Sequence, residues 1–149
     1  MSKHSELAKQ NFLNGYNCTQ AVVLAFADEL DVDRDTLLKI ASPFGGGMGR
    51  LREVCGAVSA MFMVLGLKEG YTDPKDTAAK AALYKKVQEL AARSQKENGS
   101  IVCRELLKLS QKKDSPVPEE RTPEYYKKRP CPDLVALAAQ ILDEYLETK

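Results

Sequence analysis

Four cysteines, Cys18, Cys55, Cys103 and Cys131, are separated by intervals of 36, 47 and 27 residues in a chain of 149. No two are close enough to form a local C-x-x-C motif, so a site that uses all four draws one sulfur from each of four remote segments. Four thiolates meet the ligand count of an iron–sulfur cluster and equally that of a closed tetrahedral zinc site. They also allow thiol–disulfide exchange, in which one thiolate attacks and another resolves the mixed disulfide. Taken singly, a buried cysteine is a small hydrophobe without a chemical duty, so a helical interaction module with inert core cysteines also satisfies the count.

Cys131 has the most informative surroundings. Pro132 suits the first position of a helix and Asp133 its first turn, which puts Cys131 at the N-cap. Backbone N–H groups and the helix dipole there favour the thiolate, and the run Lys127-Lys128-Arg129 pushes the same way while Asp133 opposes it. On this reading Cys131 is the attacking thiol of an exchange reaction. Cys18, Cys55 and Cys103 are also expected in or near the first turn of a helix, so four helix starts can converge on one anionic centre.

The elements that must position these sulfurs read as helices throughout. Strong helix formers fill the periodic segments and alternating β-branched runs are absent, which predicts an all-α single domain over residues 1–149, a bundle of about five to six helices. A first helical segment is expected from Ser5 to Leu30, broken at Asn14-Gly15-Tyr16-Asn17, and a short helix from Asp35 to Ala41 behind the cap Asp33, ended by Pro43. A helix from Arg50 to Leu67 is expected to bury Leu51, Val54, Cys55, Val58, Phe62 and Leu65, with Gly56, Ala57 and Ala60 leaving one side thin. Asp73 and Pro74 predict the start of a helix that runs to Asn98-Gly99, and Ser100 the cap of one through Ser110 that carries Cys103. A long Pro/Lys/Glu-rich connection, Gln111 to Pro130, precedes the last helix and is read as a lid over the cysteines or a solvated loop. The final helix, from Cys131 to Glu147, carries the stripe Leu134, Leu137, Ala138, Ile141, Leu142 and Tyr145.

Gly45, Gly46, Gly47 and Gly49, followed by Arg50 and Arg52, form either a tight turn or an anion-binding nest of backbone N–H groups beside guanidinium groups. The segment lacks the Gly-Lys-Ser/Thr ending of a P-loop. His4 is the only histidine. It lies near a chain start that is expected to fray, which leaves cysteine–histidine hydrolysis without a base.

With 22 basic and 21 acidic residues the chain is nearly neutral. No basic stripe interleaved with aromatics points to nucleic acid. The longest largely apolar run, Ala57 to Leu67, is short of the roughly 18 residues a membrane span needs, and the first ten residues carry no apolar h-region. A cytoplasmic protein is the expectation, with cysteines kept reduced or used in chemistry.

Gly15-Tyr-Asn-Cys18-Thr-Gln-Ala-Val22, Gly45-Gly-Gly-Met-Gly-Arg50 and Cys55-Gly-Ala-Val-Ser-Ala60, together with Cys103 and Cys131, resemble the C_GCAxxG_C_C family of redox-active proteins. The departure is Ala60, where the family motif ends in glycine. The pattern also resembles the cluster-bearing part of split-Soret cytochromes. The resemblance implies a redox function, with an iron–sulfur cluster on the four cysteines for electron transfer or redox sensing. A redox partner protein or a small-molecule thiol or disulfide would be the counterpart, and a homo-oligomer is compatible with this reading.

Overall fold

A computed structural model describes residues 1–110 and 113–147, and the start of the expected long connection, Gln111 and Lys112, lies outside them. Helices α1 (Lys3–Leu13), α2 (Cys18–Ala25), α3 (Arg34–Ala41), α5 (Gly56–Glu69), α6 (Thr77–Asn98) and α9 (Cys131–Glu147) make up the bundle. Between them lie the short turns α4 (Gly45–Met48), α7 (Cys103–Leu106) and α8 (Pro123–Lys128). The all-α expectation holds: among the described residues the extended pairing is one isolated antiparallel bridge, Val54 with Val102. No helix is long and apolar enough to cross a membrane among the described residues.

The core lies where α1, α2, α5 and α9 meet. α1 packs on α9 and α2, and α2 packs on α5. Phe12, Phe26, Met61, Leu65, Leu90, Leu142, Val58 and Val135 are among the largest fully buried side chains. α5 is covered on nearly every side, with Ala57, Val58, Ala60, Met61, Val64 and Leu65 buried, as its apolar sequence Gly-Ala-Val-Ser-Ala-Met-Phe-Met-Val-Leu allows. α6 is polar and buries only Leu90 and Ser94, so it lies on the outside of the bundle.

Local signals set several boundaries. The break after Leu13 comes where Gly15 takes a φ of 111°, and α2 restarts behind a complete capping box between Asn17 and Gln20. Asp33 caps α3 by accepting from the Thr36 amide, and Gly99, in the left-handed region, closes α6. After Ala41 the chain tightens into a 3-10 turn, Ser42–Phe44, so Pro43 ends the α-helix without forcing Ser42 out of right-handed geometry.

Other boundaries differ from the expectation. The helix predicted from Arg50 begins at Gly56. Met48, Gly49, Arg50 and Arg52 all have positive φ, and Val54 is held extended by Val102. Leu51 is consequently exposed instead of buried. Asp73 stabilises a turn by accepting from the Lys75 and Asp76 amides, and it is Asp76 that caps α6. α7 is a single turn, with Ser100 bonded to the Val102 amide and to Glu105. The Pro-rich connection contains α8, capped by Thr122 with Pro123 in its first turn.

Candidate functional site

Each cysteine stands at a helix start. Cys18, Cys103 and Cys131 are the first residues of α2, α7 and α9, and Cys55 is the N-cap of α5. All four line one cavity of ≈ 300 Å³. Cys55 and Cys103 are buried, while Cys18 and Cys131 are half-buried.

Glycine makes this convergence possible. A Cβ placed on Gly56 would stand 2.3 Å from Cys18 Sγ and 2.5 Å from Thr19 Oγ1. On Gly47 it would stand 2.6 Å from Cys103 Cβ and 2.8 Å from the Arg52 backbone. Side chains at 47 and 56 would therefore occupy the space that the sulfur-bearing turns use. The loop and the α7 segment are stitched together by backbone bonds: Cys103 N to Glu53 O at 2.6 Å, Cys55 N to Ile101 O at 2.8 Å and Arg104 N to Arg52 O at 3.2 Å.

The glycine loop forms one wall. Gly45, Gly46, Gly49 and Arg50 line the cavity, whereas Gly47 packs beneath Cys103. The guanidinium group of Arg50 reaches the connection before α8: its Nε donates to Ser115 O at 2.7 Å, and its Nη2 lies 3.9 Å from Asp114 and 3.8 Å from Glu119. Arg52 is the buried cation of the site, 5 % exposed. It donates to Asp114 Oδ2 at 2.8 Å and stands 3.6 Å from Cys103 Sγ.

Part of the Pro-rich connection closes the cavity, with Pro116, Pro118, Glu119, Arg121 and Tyr125 lining it. Arg121 pins this segment to the α1–α2 break, donating to Phe12 O and to Tyr16 O, with its guanidinium 4.0 Å from the centroid of the Phe12 ring. Arg129 and Glu119 add an ion pair at 2.5 Å. Sequence reasoning missed Asp114, Glu119, Arg121 and Tyr125, because a proline-rich stretch has no periodicity to show which residues point inward.

The expectation of a depressed thiol at Cys131 is corrected. The cap is Pro130, whose carbonyl accepts from the Asp133 and Leu134 amides, and Cys131 is the first helical residue. Burial pushes its thiol up to about 12, Cys18 and Cys103 add to the shift, and Arg129 and Arg52 oppose it. Burial also raises the Cys103 thiol against the pull of Arg52, and raises the Cys55 thiol strongly against the Val58 and Ala57 amides. Backbone amides act on Cys55 and guanidinium groups on Cys103 and Cys131, but desolvation outweighs them at all three. Burial thus favours the protonated thiol at Cys55, Cys103 and Cys131.

Four sulfurs around one cavity meet the ligand count of a cluster and of a single tetrahedral ion. A tetrahedral zinc holds sulfur at about 2.3 Å, which puts ligand atoms about 3.8 Å apart. Among the described residues, no three cysteine sulfurs come within 4.8 Å of one another.

His4 does not lie in a frayed end. It sits within α1, its ring stacked on Phe26 and its nitrogens facing Asp143 and Glu29, away from the cysteines.

Fold and site together define a helical protein whose four cysteines, one from each of four helix starts, share a single cavity beside a buried arginine. The chain belongs to the C_GCAxxG_C_C family, described as putative redox-active proteins, whose model matches residues 16–145. No curated protein and no solved structure matches it.

Proposed function

We propose that the four cysteines bind an iron–sulfur cluster and that the protein carries electrons or senses redox state. The observation that supports this most is the convergence of Cys18, Cys55, Cys103 and Cys131 on one cavity of ≈ 300 Å³. A cluster bound there supplies one-electron redox chemistry. The residues of the chain contribute four sulfur ligands, compensation for negative charge and exclusion of water.

Arg52 lies beside Cys103, and the Ala57 and Val58 amides favour the Cys55 thiolate, so anionic sulfur is met there by donors and positive charge. The segment from Pro116 to Tyr125 covers the cavity and keeps its dielectric low, a setting that tunes potential through burial and hydrogen bonding to sulfur. Cys18 and Cys131, the half-buried pair, form the edge nearest solvent, where a redox partner protein would exchange an electron.

Thiol–disulfide exchange is less well supported, since the raised Cys131, Cys103 and Cys55 thiols supply little thiolate at neutral pH. Mononuclear zinc is less well supported because, among the described residues, no three of the sulfurs lie within 4.8 Å of one another. Anaerobic purification followed by iron, acid-labile sulfide and zinc analysis tests the proposal. Stoichiometric iron and sulfide, lost in each Cys→Ser variant, is the expected result. Colourless protein after anaerobic reconstitution, or stoichiometric zinc without sulfide, rejects it.

A further inference from the structure

His4 lies ahead of the residues that the family model matches, at the far end of α1 from the cysteines. Phe12, which lines the cysteine cavity, is eight residues further on, about 12 Å along the helix at about 1.5 Å per residue. The His4 ring is stacked on Phe26 with centroids 4.2 Å apart and planes 10° from parallel, which aims both nitrogens in set directions. Nδ1 lies 2.8 Å from Asp143 Oδ1, while Nε2 lies 2.5 Å from Glu29 Oε2 and 4.0 Å from Asp28 Oδ1.

With a proton on each ring nitrogen, His4 pairs with Asp143 through Nδ1 and with Glu29 through Nε2; a divalent ion would take the place of the Nε2 proton, leaving Nδ1–H on Asp143 and two carboxylates beside the freed lone pair. The positive groups nearby do not fill that role: Lys68 occupies the other Glu29 oxygen at 3.2 Å, and Lys3 lines the adjoining surface cavity. Asp143 provides a separate indication. It is 9 % exposed, its Oδ2 is buried without a hydrogen-bond partner, and it lines that same cavity with His4 and Glu29.

We propose that His4, Asp28 and Glu29 bind a divalent metal ion, with Asp143 orienting the imidazole from behind. A carboxylate that holds the far nitrogen of a ligating histidine fixes its tautomer and raises its basicity. One imidazole and two carboxylates suit a borderline first-row ion such as Mn²⁺ or Zn²⁺ and disfavour the soft ions that thiolates select. Asp28 and Glu29 lie on the 3-10 turn Ala27–Glu29, and their side chains, 69 % and 37 % exposed, are free to close to coordination distance. A bound ion would clamp α1, this turn and α9 together, at a distance from the redox site.

The single histidine makes the test clean. Mn²⁺ is added to the reduced full-length protein while the imidazole C–H signals are followed by proton NMR. Mn²⁺ is the probe because carboxylate and imidazole hold it and thiols do not favour it. Saturable broadening at one ion per chain is expected, weakened at least about tenfold in Glu29→Gln and Asp28→Asn and about 10–100-fold in Asp143→Asn. The iron content of the cysteine site should not change in these variants, and circular dichroism checks that they fold. Should Asp143→Asn fail to fold, the two surface variants carry the test. His4 signals that stay sharp at millimolar Mn²⁺, or that broaden alike in native protein and Glu29→Gln, overturn the site.

Discussion

Two glycines of the same helix should respond to the same substitution with opposite sign. Gly56 opens α5, and a Cβ there meets Cys18 Sγ at 2.3 Å, Thr19 Oγ1 at 2.5 Å and Phe44 O at 3.0 Å. Optimal contacts lie at about 3.5–4.0 Å, so all three neighbours must move. The Cys18 side chain can rotate, but Thr19 is fully buried and donates to Gly56 O at 2.9 Å, and Phe44 O is backbone. Overpacking of this kind costs about 1–3 kcal/mol, against a helix-propensity gain of at most about 1 kcal/mol, so Gly56→Ala should lose about 1–2 kcal/mol. Gly66, ten residues along α5, has nothing within 4 Å of its would-be Cβ, and Gly66→Ala should gain about 0.5–1 kcal/mol. The two melting temperatures should then differ by about 4–10 °C for a chain of this size. Thermal unfolding of reduced, metal-free protein gives the comparison, and iron and sulfide content after reconstitution gives the functional counterpart, reduced only in Gly56→Ala. A Gly56→Ala protein as stable and as fully loaded as Gly66→Ala would refute the view that position 56 is kept open for the Cys18 sulfur.

Reduced, metal-free protein should lose stability as pH rises above about 9, since Cys55, Cys103 and Cys131 stay protonated in the fold after the unfolded chain has begun to ionise. For Cys131 the loss runs from its ordinary value of 9.0 to about 12, at up to about 1.4 kcal/mol per pH unit, and denaturant midpoints between pH 8 and 10.5 should show a shallower slope in Cys131→Ala. Arg52→Lys should lose about 2 kcal/mol by urea unfolding, because an ammonium group cannot reach Asp114 and Cys103 in the same fork, and should lower the reduction potential of the loaded protein by moving charge away from Cys103. An unchanged potential would remove Arg52 from the site. Arg121→Ala removes two bonds to backbone carbonyls and the cation stacked on Phe12, so amides from residue 113 to 130 should exchange faster while those of α5 do not. Equal exchange in the two proteins would show that Arg121 does not hold the cover down.

Where a boundary depends on a local bond, the chain alone makes it legible. Asn17 with Gln20, Asp33 with Thr36, and Gly99 each act within one turn, and each appears in the fold at the expected place. The placement of Cys18, Cys103 and Cys131 at helix starts was legible for the same reason, whereas Cys55 was read five residues into a helix from Arg50 and is the N-cap of α5. The stretch from Arg50 to Val54 was misread as helix because its apolar spacing fits a helical stripe, while the bonds that override it come from residues 101 to 103, remote in sequence.

From residue types and spacing alone came an all-α chain, four cysteines in or near first turns, and a long proline-rich connection read as a lid or a solvated loop. Tertiary structure alone decided that those turns face one cavity, that Arg52 rather than Arg50 touches a sulfur, and that burial pushes the Cys131 thiol up where a helix start would pull it down. The division has one cause: caps and dipoles act over a few residues and can be read locally, whereas burial is set by every segment that packs around a group, and for these thiols burial is the larger effect.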